Sequence, residues 1–159
     1  MRPLVFEELM LYIDSPKKLA AQLHLIDDQS EADKELKSAV IKEFVPEINH
    51  FEKEFLFYTI WLIIRKLDSV VLGSLCFHGE PMDGKVEIGY GLNDQFKGFG
   101  YMTEAVHQII EWTKKRTDIQ SIIAETEKLN LQSQNVLLRN DFKELTRDEE
   151  SIFWELGVK

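Results

Sequence analysis

The residues best suited to chemistry lie in one short stretch, Gln95-x-x-Gly98-x-Gly100, between a strand-like run at residues 86–92 and a helix-patterned segment. A helix start presents unpaired backbone N–H groups and the positive end of the macrodipole, and both attract an anion. Glycines let the backbone approach such a ligand and take positive φ at little steric cost. The amides from Phe96 to Tyr101 are the expected donors, with Lys97 as a charged one. The plain alternatives are a tight loop without ligand and a solvated lysine. Upstream, strand alternation puts Val86, Ile88, Tyr90 and Leu92 on one face and Glu87, Gly89 and Gly91 on the other. Two glycines beside a carboxylate leave room for a substrate, although a glutamate there can equally be salt-bridged or solvent-facing.

Competing phosphate motifs fit less well. A dinucleotide fingerprint needs a third glycine where Thr103 stands, and no Gly-Lys-Ser/Thr follows the loop to make a P-loop. His24, His50, His78 and His107 have no metal-ligand spacing, so no metal site is expected. Cys76 is the single cysteine, sits in an apolar run and reads as a buried thiol. Glu125, Glu127 and the run 148–150 could attract a cation, but charge runs of this kind are usually solvated turns.

The elements that must position these residues fit one domain over residues 1–159. A composition 44% hydrophobic and 30% charged is that of a globular chain. The net charge of −9 argues against a nucleic-acid partner and suits an amine-bearing one. With no signal-like or membrane-length apolar run, a soluble cytoplasmic protein, monomer or homodimer, is the expectation.

Residues 9–13 read as a first strand, and Ser15-Pro16 as the N-cap and N1 of a helix reaching about His24. A second helix is expected from about Ser30 to Phe44, stopped near Pro46, with a short helical piece through Phe51. Residues 55–65, 70–77 and 86–92 read as strands joined by turns at 66–69 and 79–84. A helix to about Arg116, a strand at 119–126, a helix at 133–139 and a hairpin of 142–145 with 152–156 complete the chain. This order predicts an α/β (α+β) fold with a mixed, mostly antiparallel central sheet flanked by helices.

The loop spacing, Glu-Ile-Gly-Tyr at 87–90, and Asn130-Leu131-Gln132-Ser133 followed by VLLRNDF at 136–142 together resemble the GNAT superfamily of acetyl-CoA-dependent N-acetyltransferases. Within it they are most similar to the Rim-type branch, named for ribosomal-protein alanine N-acetyltransferases. The resemblance runs from about Leu72 to the C-terminus; before that it is only a pattern of helices. Two departures stand out: Asp141 occupies the place of a glycine, and Leu137 that of the tyrosine acid of many relatives.

The resemblance implies acetyl-CoA as cosubstrate, no metal, and direct attack by an amine without an acyl-enzyme. It implies that Tyr90 and Leu92 edge the pantetheine arm and that Gln95, Lys97, Gly98 and Gly100 belong to the pyrophosphate loop, while Phe96, Phe99, Tyr101 and Met102 are read as packing residues and pantetheine-side walls of the cofactor site. Glu87 becomes the candidate base, since an ammonium has no lone pair until it loses a proton. Ser133 becomes the candidate acid toward the departing thiolate, with helix N-cap as its structural alternative; Asn130 holds the pantetheine or caps a strand end. Tyr90 and Tyr101 are substitute acids. A protein N-terminus, a polyamine and an amino sugar all remain open as acceptor, and a non-catalytic CoA-binding module is the alternative function.

Overall fold

The computed structural model describes residues 1–27, 34–48 and 54–159. Its framework is a seven-stranded sheet in the order β1-β2-β3-β4-β5-β7-β6. The strands are β1 (Arg2–Pro3), β2 (Ile60–Arg65), β3 (Val70–Phe77), β4 (Lys85–Leu92), β5 (Ser121–Glu127), β6 (Lys143–Arg147) and β7 (Ser151–Gly157). All neighbours are antiparallel except β4 and β5, which run parallel. That pair is joined through helix α5 (Tyr101–Thr113), the crossover that parallel strands require.

Alternation along the strands sorts side chains to two faces. Trp61 and Ile63 of β2, Val86 and Ile88 of β4, and Ile122 and Ala124 of β5 join one core with α5 and Leu137 of helix α6 (Leu131–Arg139). Ile60, Leu62 and Cys76 face the other way, toward the N-terminal helices α1 (Phe6–Asp14) and α2 (Pro16–Gln22) and the segment around Val40 and Phe44. That second layer packs on β2 and β3. Among the described residues it leaves the same face of β4, β5 and β7 open, where Glu87, Glu125 and Phe153 are at most partly covered.

Several expected elements move. Residues 9–13 are helical, not a strand: Leu9, Tyr12 and Ile13 are buried at i, i+3 and i+4 spacing on α1. The second helix is seen from Lys34, its expected start at Ser30 lying outside the described residues. Helix α3 (Lys34–Ala39) passes into a π turn, Val40–Phe44, and then into α4 (Val45–Ile48). Pro46 therefore does not stop the helix: the chain reaches it through the π turn, whose Val45 N–H bonds the Val40 carbonyl five residues back. The expected short piece through Phe51 is described only to Ile48.

Residues 55–57 form a 3₁₀ turn rather than strand, with Phe57 buried and the Trp61 indole N–H donating to the Leu56 carbonyl at 3.0 Å. Extended structure begins only at Ile60. Asp141 adopts φ 63°, so it does enter the left-handed region that the family's glycine would favour.

A constraint invisible in the sequence is Gly73, which pairs with Leu92 across β3 and β4. A Cβ there would overlap the Gly91 carbonyl oxygen, which is backbone and cannot swing away. Gly73→Ala is expected to cost about 2 kcal/mol or more, at the upper end of overpacking penalties. Urea unfolding followed by circular dichroism reads this directly, and a midpoint like that of the unmodified protein would contradict it.

Candidate active site

Strands β4 and β5 pair only at Lys85–Ser121, Val86–Ile122 and Glu87–Ile123. Beyond Glu87, β4 stays with β3 as far as Leu92, while β5 stays with β7 as far as Glu127. The two strands part, and a cleft of about 400 Å³ opens between the free end of β4, the glycine loop and the start of α6.

The loop is built as its residue types require. Asp94–Phe96 make one 3₁₀ turn, Gly98 has φ 85°, and Gly100 has φ 84° as the N-cap of α5. Nothing lies within 4 Å of a Cβ built at either glycine. Their need is therefore conformational in the protein itself, and the space above them is open for a ligand. Lys97 lines the cleft while its Nζ rests 2.6 Å from Asp94 Oδ1. That pair is exposed, and it holds the Asp94 carboxyl below its ordinary range.

Of the residues expected at the cofactor site, Tyr90, Leu92, Lys97, Gly98, Gly100, Met102, Asn130 and Ser133 line this cleft, and Gln95, Phe96, Phe99 and Tyr101 do not. Phe96 lies under the Arg65 guanidinium at 5.4 Å, and Tyr101 Oη sits 3.5 Å from the same group. Phe99 is 71% exposed. Arg139, from the last turn of α6, adds a cation to the wall that sequence reasoning did not single out. Its place three residues after Val136 and six after Ser133, on one side of the expected helix, was the available signal.

Asn130 is the N-cap of α6: its Oδ1 accepts the Ser133 N–H at 3.0 Å. The alternative reading of Ser133 as the cap is thereby corrected, because the helix begins two residues earlier than expected. This leaves the Ser133 hydroxyl free for another partner, and it donates to Tyr90 Oη at 2.9 Å. Tyr90 Oη in turn donates to the Ser133 carbonyl at 3.3 Å. Burial pushes the Tyr90 phenol up to about 12, against a smaller lowering by Ser133, so at neutral pH it carries its proton. The site thus holds a linked pair of hydroxyls at the cleft wall.

Glu87 lies on the opposite face, away from the cleft and at the point where the strands part. The space expected beside it is only half open. Gly91 is clear, but the His78 ring lies over Gly89, where a Cβ would come within 2.6 Å of Nε2. His78 Nδ1 is 3.1 Å from Glu87 Oε1. The sequence showed no metal spacing for His78 and offered only one cue, that a turn brings the end of β3 back beside the start of β4. Hydrogen bonds donated by the imidazolium to Cys76 and Glu87 raise His78 to about 10, and His78 holds Glu87 below the usual carboxylate range.

Glu87 also borders a second, apolar hollow of about 220 Å³ that includes Ile123, Glu125, Leu145 and Phe153. Leu145 sits at an irregularity in the β6–β7 register, between Glu144 and Thr146, and is 57% exposed. A bulge of this kind re-aims a side chain out of the normal alternation. Among the described residues no group of three or more His, Cys, Asp or Glu is arranged to hold a metal, and no helix is long and apolar enough to cross a membrane.

Residues 7–143 match the profile of the Acetyltransferase (GNAT) domain. An 83-residue stretch is 34% identical to an uncharacterized N-acetyltransferase of Bacillus subtilis (strain 168), YjdG, covering 52% of this chain and 49% of that protein. The match therefore spans about half of that relative's length. In fold the chain is similar to a ribosomal-protein-S5-alanine acetyltransferase from Vibrio fischeri, with a TM-score of 0.64 and 17% identity over 96% of this chain and 87% of the other. It is also similar to an aminoglycoside acetyltransferase in complex with coenzyme A, with a TM-score of 0.53 and 16% identity over 62% and 65%. At these identities the structural likeness is one of fold.

The two hydroxyl-bearing and capping roles separate by mutation. Asn130→Ala removes the cap and is expected to cost about 1 kcal/mol in denaturant unfolding. Ser133→Ala keeps the cap and should cost clearly less. Equal losses would mean that Ser133, not Asn130, anchors the start of α6.

Proposed function

Because the chain belongs to the GNAT acetyltransferase family, we propose that it is a single-domain N-acetyltransferase that moves the acetyl group of acetyl-CoA to a primary amine by direct attack. The observation that carries this reading is the parting of β4 and β5 with a glycine loop at one end of the resulting cleft. Pyrophosphate is taken by the loop amides at the start of α5, with Lys97 exchanging its exposed pair with Asp94 for the phosphate. The pantetheine arm runs along the free edge of β4 beside Tyr90 and Leu92, where backbone groups no longer used by β5 are open to its amides.

The thioester then lies where the strands part, between Glu87 on one face and the Tyr90–Ser133 hydroxyls on the other. The amine nitrogen forms its bond to the carbonyl carbon, the carbon–sulfur bond breaks, and the thiolate takes a proton. Ser133 and Tyr90 are the donors placed for that proton, Tyr90 being held neutral by burial. Glu87 takes the proton lost by the amine. Most of the rate comes from positioning the two reactants. The acceptor enters over the apolar hollow, whose carboxylates Glu87 and Glu125 favour a cationic or neutral amine over an anionic one. The Rim-type motifs add a protein N-terminus to the acceptors worth testing first.

Gly100→Val is expected to weaken CoA binding at least tenfold by calorimetry, since the residue must hold φ 84° at the phosphate end of the cleft. Glu87→Gln should leave that affinity nearly intact and lower turnover about 100-fold or more at neutral pH. A panel of amines assayed for CoA release completes the test. Tight CoA binding with no release for any amine would favour a non-catalytic CoA-binding module instead.

A further inference from the structure

We propose that the base of this site is not Glu87 alone but the His78–Glu87 pair, with His78 as the residue that carries the amine's proton out to solvent. This rests on the acetyl-transfer reading above and adds a residue to it. The geometry is specific. His78 follows β3 directly, and its backbone N–H donates to the Glu87 carbonyl at 3.0 Å, so the two residues stand opposite each other on one face of the sheet. Their side chains meet at 3.1 Å, Nδ1 to Oε1.

The ring can reach across β4 only because residue 89 is glycine: its Nε2 points end-on at the place of a Cβ there, 2.6 Å away. Cys76, the cross-strand partner of Gly89, completes the setting. The titratable groups acting on His78 are Cys76 from its own strand and Glu87 from β4, while Glu125 of β5 borders the hollow that Glu87 also lines. His78 is 47% exposed, so its ring edge stays within reach of water.

The proton balance follows. The amine attacks the thioester carbon and its nitrogen loses one proton to a Glu87 oxygen. That proton comes to rest between Oε1 and Nδ1, giving an imidazolium–carboxylate pair. It leaves to water from the imidazole, which restores the reacting form, neutral His78 beside the Glu87 carboxylate; at neutral pH this is the minority form, because the pair holds its proton. The thiolate's proton comes separately, from the Ser133 and Tyr90 side.

Two variants break the pair by independent routes. His78→Gln removes the imidazole. Gly89→Ala displaces it, and the ring, as the far end of a side chain, can swing away without disturbing the backbone. Imidazole titration by NMR, with His78 assigned through His78→Gln, should show His78 holding its proton well above the free-imidazole range. The titration should return toward that range in Glu87→Gln and in Gly89→Ala.

The rate readout uses a weakly basic acceptor such as an alkoxyamine, already neutral at pH 7, so that acceptor ionisation does not enter. The unmodified protein should then gain rate about tenfold per pH unit on the alkaline side, as loss of one proton requires. His78→Gln and Gly89→Ala should be nearly flat from pH 6 to 9, because Glu87 alone is already ionised there. Equal slopes in all three proteins, or a His78 titration indifferent to Glu87→Gln, would overturn the pair while leaving acetyl transfer intact. Coupled titration with no transfer to any amine would instead overturn the acetyltransferase reading, and the pair's catalytic role with it.

Discussion

The arrangement on which the rest of this structure depends is the short parallel pairing of β4 with β5. Three residue pairs hold the two halves of the sheet together, ending at Glu87 and Ile123. Beyond them each strand follows its outer neighbour: β4 keeps β3 through Leu92, and β5 keeps β7 through Glu127. Each of those ladders uses the edge facing away from the gap, so the two strands diverge with their outer neighbours and leave the facing edges unpaired. The gap is therefore maintained by the hydrogen bonds on its flanks, and the backbone edge left over inside it is available to a ligand.

Helix α6 keeps the gap from collapsing. The Gln134 amide donates to the Glu127 and Lys128 carbonyls, tying the helix to the end of β5. Asn140, buried at its other end, donates to the Thr103 carbonyl in the first turn of α5. The Ser133–Tyr90 pair joins the same helix to β4. Three polar attachments to three elements define where the helix start stands. Each is a side chain with a partner, which makes the wall of the cleft rigid where a reacting group must be held within a fraction of an ångström.

The sheet also divides charge. Lys97 and Arg139 line the side that carries the glycine loop, and Glu87 and Glu125 border the other. An overall charge of −9 hides this division, because the sum over the chain says nothing about which face a residue occupies. In the proposed reaction an anionic cosubstrate and a cationic acceptor would approach opposite faces of one sheet, each toward charge of the opposite sign. Where the two approaches meet, at the end of the β4–β5 pairing, the carboxylate is held by an imidazole rather than left alone.

What the sequence determined by itself were the features written in local pattern. The glycine loop with its positive φ values, the helix that follows, the Ser15-Pro16 helix start and the alternation that put Glu87 opposite Val86 and Ile88 all depend on residues a few positions apart. Backbone sterics and side-chain period act over that range. Where local pattern was ambiguous the reading failed: residues 9–13 are short and apolar, and only packing against Val40, Phe44 and Leu62 makes them helix. The same limit moved the start of β2, since Phe57 is drawn out of the strand to fill the core beside Phe77 and Trp112. The tertiary structure alone decided which side chains meet. His78 and Glu87 are nine residues apart, and Tyr90 and Ser133 forty-three. Both contacts depend on strand register and helix placement, and cross-strand register is set by the whole sheet rather than by any one segment.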